Sequence, residues 1–237
     1  NSLRRYIMLG LGNSITSGTL YDEFSWLPTD VNGLVLWHKN NTGVDISQWD
    51  DSSGNNNHAV AGDTDNQASL FEGGLHFDGV DDFYEYSTQL NIGASESYTL
   101  AIVYHLDDND VKNVVFSKDA NSTFFEFFDE DTVRINYNGN VVNLNGGTHT
   151  AGSDRILVVT RSGSTGAHRL FENGSDTLVT TGTQTGVALW ENLGIRNDND
   201  RPFNGKIYEV MVWDNVSLGG SDLTNLNTYL TNVRNSI

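Results

Sequence analysis

The chain has 237 residues, of which 37% are hydrophobic and 11% aromatic, so it can bury the core of one large β domain or two small domains. Its formal net charge of −18 argues against nucleic acid or an anionic membrane surface as a partner, because both need a positive protein surface. The lack of cysteine excludes disulfides and zinc–thiolate sites, and no apolar run reaches the length of a membrane span. The acidity fits either a soluble surface suited to salty water or carboxylates that bind divalent cations.

Residues 1–30 differ in composition from the rest of the chain. A basic and apolar start leads into a loop-like stretch and then into aromatic residues that fit neither helix nor strand periodicity. Such a segment is too short to form its own core, so we expect an anchoring arm that packs on its own domain, a sister subunit or a larger assembly. A signal peptide is the alternative, although a clear small-residue cleavage site is missing. The predicted anchor residues are Leu3, Arg4, Arg5, Tyr6, Ile7 and Leu9.

Residues 31–237 are predicted to form one domain, in which short apolar runs alternate with turn residues. Residues 98–104 are apolar nearly throughout, as expected for a strand buried on both faces. Asn138 and Gly139 predict a hairpin turn between two of the strands. Predicted strands cover residues 34–37, 75–78, 83–86, 98–104, 114–117, 124–128, 132–137, 141–144, 156–160, 168–171, 178–180, 187–190, 193–196 and 206–213.

Strands spaced at roughly 8–12 residues, with turns between them, predict an antiparallel sandwich rather than βαβ units. One helix is expected near the end of the chain, with Ser221 as its N-cap. Its apolar face is predicted to contain Leu223, Leu226, Leu230 and Val233.

Four short blocks occur in a fixed order along this domain. They are DSSGNNNHA at residues 51–59, FDGVDDF at 77–83, RLFENG at 169–174 and FNGKIYEVMVWD at 203–214. Together they resemble laminin-G-like domains of the concanavalin A-like group over about residues 33–234. The resemblance implies an all-β fold: an antiparallel two-sheet jelly-roll sandwich, here with an extended N-terminal arm and a short C-terminal helix.

The arm joined to such a domain also resembles virion structural proteins of tailed phages, particularly marine ones. This resemblance implies a non-enzymatic capsid decoration or fibre-type module located in the virion. Other capsid or tail proteins, further copies of the chain and surface glycans are its expected partners. Two alternatives stay open: a secreted or cell-surface carbohydrate-binding adhesin, and a glycoside hydrolase of the concanavalin A-like group.

Catalytic carboxylates are not predicted. Glycoside hydrolysis needs two carboxylates that face each other across a cleft, and hydrolases of this group typically carry them on one strand as E-x-D-x-x-E. Glu126 is the nearest candidate, but Asp129, Glu130 and Asp131 belong to the turn that follows its strand. We therefore expect no enzymatic activity.

Calcium is the expected cofactor, because carboxylate and amide oxygens are its preferred ligands and three loops supply them. Besides a cluster at Asp107, Asp108 and Asp110, the candidates lie in the first two blocks of the resemblance. Asp78 with Gly79 is interpreted mainly as turn chemistry. The predicted metal ligands are Asp50, Asp51, Asn55, Asn57, Asp81 and Asp82.

Carbohydrate binding would need an exposed aromatic ring beside polar side chains. Trp37 and Trp213 lie within predicted strands and are assigned to the core, whereas Trp49 and Trp190 flank turns and are expected to be exposed. The predicted polar neighbours of these rings are Asn197, Asp198 and Asn199.

Overall fold

The computed structural model describes residues 26–108, 112–118, 123–195 and 201–237. Within these ranges two antiparallel sheets pack face to face, which confirms the predicted all-β jelly-roll sandwich. A helix follows the last strand, also as predicted. The predicted anchor residues, like all of residues 1–25, lie outside the described part of the chain.

The regular structure of the described residues comprises sixteen strands, a 3-10 turn at Pro28–Asp30 and one α-helix. In chain order the elements are β1 (Leu34–His38), β2 (Gln48–Trp49), β3 (Ala59–Ala61), β4 (Ser69–Phe71), β5 (Gly74–Asp78), β6 (Tyr84–Ile92), β7 (Tyr98–Leu106), β8 (Asn113–Lys118), β9 (Thr123–Phe127), β10 (Thr132–Tyr137), β11 (Asn140–Asn145), β12 (Asp154–Ser162), β13 (Ala167–Glu172), β14 (Thr180–Thr183), β15 (Ala188–Leu193), β16 (Asn204–Asp214) and α1 (Gly220–Ser236).

The strands are divided between two sheets of eight. Sheet A has the spatial order β14, β13, β12, β7, β16, β5 and β4, with β1 paired to β16. Sheet B has the order β11, β10, β9, β8, β15, β6, β3 and β2. Strands β2, β3 and β4 were not predicted, because each is only two or three residues long and lies in polar sequence.

Strand β16 lies in the centre of sheet A and pairs with β7 along nearly its whole length. Its other edge is shared by two strands, since β5 pairs with residues 204–207 and β1 with residues 210–213. The register with β7 shifts between Ile207 and Glu209, as at a β-bulge. Consequently Tyr208 and Glu209 both reach the outer face of sheet A instead of alternating between faces.

Two hydrophobic cores flank sheet A. Along β7, alternate side chains from Tyr98 to Leu106 enter the core between the sheets, whereas Ala101 and Val103 face a second core on the outer side. This burial on both faces explains why residues 98–104 are apolar nearly throughout, and it confirms that prediction.

Helix α1 covers the second core. The predicted apolar face is buried there and Tyr229 joins it, but the helix begins at Gly220 with Gly219 as N-cap, so the prediction for Ser221 is wrong. Trp26 and Val31 also pack against this core, so the segment that enters β1 contacts its own domain. Among the described residues, no helix is both long and apolar enough to cross a membrane.

A buried carboxylate joins the helix to the sheet. Glu209 Oε1 accepts hydrogen bonds from Trp37 Nε1 at 2.6 Å and from the Tyr229 hydroxyl at 2.7 Å. Its Oε2 accepts the backbone N–H of Asn40 at 3.2 Å. Burial raises the pKa of Glu209 from 4.5 to about 7, although these donors act in the opposite direction. One side chain therefore connects β1, β16 and α1.

Polar side chains close both ends of the sandwich. At the end where β7 begins, the buried Arg161 guanidinium donates hydrogen bonds to the carbonyl oxygens of Gly93, Glu96 and Gly186. At the end where β7 finishes, the Tyr104 hydroxyl lies 2.9 Å from His149 Nδ1, which is 3.4 Å from Glu172 Oε1. The hydrogen bonds of Arg161 fix the segments that meet at the first of these ends, because its buried guanidinium is bonded to several backbone carbonyl oxygens.

The substitution Glu209→Gln is expected to change how stability depends on pH. The pKa of Glu209 is higher in the folded protein than its ordinary value, so the folded state binds the carboxyl proton of Glu209 more tightly than the unfolded chain does. The contribution of the group to the free energy of unfolding is therefore full below about pH 4 and is lost as the pH rises through about 7. Urea unfolding at pH 5 and pH 8 should show wild type losing more stability than the glutamine variant over this interval.

Glu85→Gln is the matched control, because Glu85 is exposed on β6 and should leave the pH dependence of wild type unchanged. Identical changes in unfolding free energy for wild type and Glu209→Gln would contradict the assignment.

Candidate functional site

Two acidic loops that are far apart in the sequence meet at one rim of the sandwich. Asp78 pairs with Asn204 at the start of β16, and the backbone N–H of Asp107 donates to the Asn204 carbonyl oxygen at 3.0 Å. Asn113 binds both sides of this junction: its Oδ1 accepts the Asn204 N–H and its Nδ2 donates to the Asp108 carbonyl oxygen. The β5–β6 turn and the segment after β7 are therefore neighbours. We call this region the acidic rim; it contains Asp78, Asp81, Asp82, Asp107 and Asp108.

The β5–β6 turn holds three carboxylates close together. One oxygen each from Asp78, Asp81 and Asp82 lies within 4.8 Å of the others. The turn itself explains part of this arrangement, because Asp78 Oδ1 accepts the Val80 N–H and Asp82 Oδ2 accepts the Asp78 N–H, both at 2.8 Å. Gly79 adopts a φ of +77°, a conformation that glycine favours. The interpretation of Asp78 and Gly79 as turn chemistry is thus confirmed.

The electrostatics of the turn favour a cation. Burial raises the pKa of Asp82, and the negative charges of Asp78 and Asp81 add to this effect. The hydrogen bond from the Asp78 N–H opposes it without cancelling it. Carboxylates that repel each other in a partly buried turn have the ligand type and charge that a hard divalent cation prefers.

A line of polar side chains extends from this rim across the outer face of sheet A. Asp107 accepts hydrogen bonds from Lys206 Nζ and from His76 Nε2, the second at 2.7 Å. On the far side of Lys206, His105 Nδ1 lies 2.8 Å from Asp154 Oδ1. Although burial works in the other direction, the hydrogen bonds from Lys206 and His76 lower the pKa of Asp107.

The first predicted metal cluster has a structural role in this fold. The Asp51 carboxylate accepts backbone N–H groups of Trp37, Ser53 and Asn57. These bonds hold its pKa below the ordinary value against the effect of burial. The side-chain amides of Asn55 and Asn57 donate to the carbonyl oxygens of Leu34 and Val35. Asp50 Oδ1 accepts a hydrogen bond from Gln48 Nε2 at 2.5 Å and lies 3.1 Å from His58 Nδ1. Three of the groups predicted to bind metal, Asp51, Asn55 and Asn57, therefore fasten this loop to β1.

Glu126 lies in the middle of β9 and is surrounded by cations. Arg201 Nη1 contacts both of its carboxylate oxygens, at 3.0 and 2.8 Å, and Arg134 Nη1 lies 3.7 Å away. Burial raises the pKa of Glu126, whereas Arg201, Arg134 and the more distant Lys112 lower it. The charge of a carboxylate held in this way is neutralised by the guanidinium groups.

The tryptophan predictions are partly wrong. Trp49 and Trp190 are fully buried in the core between the sheets rather than exposed, because their short strands face inward. Trp190 stacks on Phe116 with the ring centroids 5.0 Å apart. Trp37 and Trp213 are buried as predicted, in the second core. The predicted polar neighbours Asn197, Asp198 and Asn199 lie outside the described residues, as does Asp110.

An exposed aromatic ring that the sequence did not indicate lies next to the polar side chains on the outer face of sheet A. Phe71, at the end of edge strand β4, is 38% exposed, and Leu70 beside it is 53% exposed. Both line a groove of about 400 Å³ together with Asn41, Val44 and Glu72. The turn residues Glu72, Gly73 and Gly74 after a short apolar run are the signal that could have identified this hairpin.

Comparisons with known proteins agree with this architecture. Residues 77–219, more than half of the chain, match the family described as the concanavalin A-like lectin/glucanases superfamily. Among curated proteins, no sequence matches that of this chain.

Several solved structures share the fold at low sequence identity. A Trypanosoma rangeli sialidase in complex with a difluoro sugar superimposes with a TM-score of 0.60 and 12% identity, over 86% of this chain and 34% of the sialidase. A GH54 α-L-arabinofuranosidase superimposes with a TM-score of 0.57 and 17% identity, over 82% of this chain and 52% of the enzyme. A structure of botulinum neurotoxin type C superimposes with a TM-score of 0.53 and 14% identity, over 84% of this chain and 51% of the neurotoxin chain.

The chain spans about a third of the length of the sialidase and about half of the other two proteins. At these identities the similarity concerns the fold, whereas the sequence match extends from β5, across the rim, to the residues before α1. The chain belongs to the concanavalin A-like lectin/glucanases superfamily.

Proposed function

We propose that this chain is a non-enzymatic carbohydrate-binding module that contacts its ligand at the acidic rim and the polar side chains beside it on the outer face of sheet A. The observation that carries the proposal is the concentration of carboxylate, imidazole and ammonium groups at Asp107, His76 and Lys206, each of them partly exposed. Such groups can donate to and accept from the hydroxyls of a sugar.

The family and its structural neighbours support the same ligand class. The sialidase from Trypanosoma rangeli has also been solved with sialic acid, with a TM-score of 0.58. The botulinum neurotoxin type C structure is described with cell entry that depends on two ganglioside molecules. These ligands are properties of those proteins, and carbohydrate binding is carried over to this chain as part of the proposal.

The environment of Glu126 supports a function without catalysis. A retaining or inverting glycosidase needs a general acid and a second carboxylate across the scissile bond. Arg201 instead hydrogen-bonds both oxygens of Glu126, and Arg134 Nη1 lies 3.7 Å from Oε1, so these close charged neighbours are cations.

We further propose that calcium binds in the β5–β6 turn. Asp78, Asp81 and Asp82 would hold the ion with three of the six to eight oxygen ligands that calcium takes. Burial raises the pKa of Asp82, the charges of Asp78 and Asp81 raise it further, and a bound ion would relieve this second contribution. Bound there, calcium would stiffen the turn at the rim.

The location we propose is a virion, on which the module serves as a capsid decoration or fibre-type component in several copies. A basic and apolar start to an otherwise acidic chain favours the N-terminal arm of residues 1–30 as the anchor to other capsid or tail proteins. A secreted or cell-surface adhesin is the second candidate, and it would use the same rim.

Carbohydrate binding without hydrolysis is tested on a glycan array and in sugar-release assays with the bound glycans. We expect selective binding to at least one glycan class, and no release of sugar by wild type or by Glu126→Gln. Glu130→Gln, in the exposed turn after β9, is the matched control. Sugar release that depends on Glu126 would identify a hydrolase, and an array with no selective signal would contradict carbohydrate binding.

Calcium binding is tested by thermal unfolding with calcium chloride and with EDTA. An ion that binds only the folded state, present at 100 times its Kd, should add about 2.7 kcal/mol to the free energy of unfolding and raise Tm. The double variant Asp81→Asn/Asp82→Asn should lose this response, whereas Asp65→Asn, an exposed loop control, should keep it. A wild-type Tm that is the same in calcium and EDTA would exclude the site.

The anchor is tested by sedimentation with purified particles. The full chain should co-sediment with the particles, and residues 26–237 should stay in the supernatant, because that truncation removes Arg4, Arg5 and the apolar run beside them but keeps Trp26, which packs on the second core. Equal sedimentation of both forms would show that residues 1–25 are dispensable. A full chain found only in culture supernatant would favour the secreted adhesin.

A further inference from the structure

Five polar side chains lie in register across the outer face of sheet A. Ser69 on β4 pairs with His76 on β5, which pairs with Lys206 on β16. Lys206 pairs in turn with His105 on β7, and His105 with Asp154 on β12. We call these five residues the polar row.

The polar row marks where helix α1 stops covering the sheet. Further along the same strands, Val103, Ile156 and Tyr208 belong to the second core beneath the helix. The side chains of His76 and Asp154 instead remain 32% and 37% exposed. This part of the outer face is therefore open to a ligand.

The aromatic ring of Phe71 borders this open part of the outer face. The Phe71 ring centroid lies 6.1 Å from that of His76 and 6.5 Å from that of Tyr208, and Lys206 Nζ stands 5.2 Å from it. These contacts hold the ring at the edge of the sheet while more than a third of the residue stays in solvent. An aromatic ring beside hydrogen-bonding groups can take the apolar face of a sugar while those groups bind its hydroxyls.

The hairpin that carries Phe71 is fastened in place. Glu72 has a φ of +44°, which is uncommon for a residue other than glycine, and Gly73 follows with +77°. The Asn41 N–H donates to the Gly73 carbonyl oxygen at 2.8 Å, and Asn40 Nδ2 donates to that of Glu72 at 2.9 Å. A Cβ atom at Gly73 would collide with the Asn41 side chain. The groove is consequently formed before a ligand arrives, which lowers the entropic cost of binding.

The charges along the groove and the polar row select against anionic sugars. Glu72, Asp107 and Asp154 contribute three carboxylates, whereas Lys206 contributes one ammonium that is already paired with Asp107. The whole chain adds a net charge of −18. The position of Lys206 between His76 and His105 also works against a metal ion in the row, since the ammonium would repel it.

From this geometry we propose that the groove beside Phe71, with the polar row, is the carbohydrate subsite, and that it takes a neutral sugar residue rather than a sialylated or sulfated one. This inference rests on the proposed carbohydrate-binding function. It adds the position of the subsite and the charge class of its ligand.

The test compares wild type, Phe71→Ala and Val141→Ala on an array of neutral, sialylated and sulfated glycans. Val141 is the matched control, because it is also a partly exposed apolar residue on an edge strand, β11 of sheet B. We expect wild type and Val141→Ala to bind neutral glycans equally, and Phe71→Ala to bind them about tenfold more weakly after loss of the aromatic contact. Circular dichroism melting of each variant checks that folding is retained.

NMR shift mapping on the wild-type chain, with methyl glucoside, methyl galactoside and methyl mannoside as probes, gives a reading that does not depend on a variant. Shifts confined to residues 69–76 and 40–44 and to Lys206, His105 and Asp154 of the polar row would support the subsite. Undiminished glycan binding by Phe71→Ala, or preferential binding of sialylated or sulfated glycans, would overturn this inference and leave the proposed function intact. No glycan binding by wild type would overturn both.

Discussion

The antiparallel pairing of β16 with β7 is the constraint on which the rest of the molecule depends. It places β16 at the centre of sheet A, with β5 and β1 sharing its other edge. The first residues of β16 carry Asn204, which joins the two acidic loops of the rim, and Lys206, which stands in the polar row. The bulge after Ile207 then sends Tyr208 and Glu209 outward to meet the helix. A single strand therefore positions both the second core and the surface to which we assign function.

Buried polar contacts make this arrangement specific. The Glu209 carboxylate, with hydrogen bonds from Trp37 and Tyr229, fixes the position of α1 on the sheet, because any other placement would leave buried donors without partners. At the end of the sandwich away from the rim, Arg161 binds three backbone carbonyl oxygens and faces the rings of Tyr98 and Tyr137. Satisfied polar networks of this kind favour one packing over alternatives of similar hydrophobic content. The rim and the groove are accordingly built on elements with little freedom to move relative to one another.

Local patterns in the sequence predicted what is locally determined. Residues 98–104 were predicted as a strand buried on both faces because their side chains enter both cores and are therefore apolar nearly throughout. The helix face was predicted from the spacing of its apolar residues, Leu223, Leu226, Leu230 and Val233. The prediction that Trp49 and Trp190 are exposed is wrong because nearness to a turn says nothing about which side of a strand faces the core. Asp51, Asn55 and Asn57 were predicted as metal ligands; in the fold the Asp51 oxygens and the two asparagine Nδ2 atoms fasten a loop to β1, a role that their spacing did not indicate. The meeting of the β5–β6 turn with Asp107, and of Phe71 with the polar row, depends on strand order, which no local pattern contains.

Carbohydrate recognition by a strongly acidic surface requires hydrogen bonds and an apolar ring rather than charge attraction, and the open part of sheet A provides both at Asp107, His76 and Phe71. Carbohydrate binding on this part of sheet A is tested most directly by a crystal structure of the chain. The crystals would be soaked with the neutral glycan that binds best in solution and with calcium chloride. We predict a sugar ring packed against Phe71 with hydroxyls bonded to groups of the polar row. A glycan bound on sheet B, or at the Glu126 cluster, with the Phe71 groove empty, would contradict it.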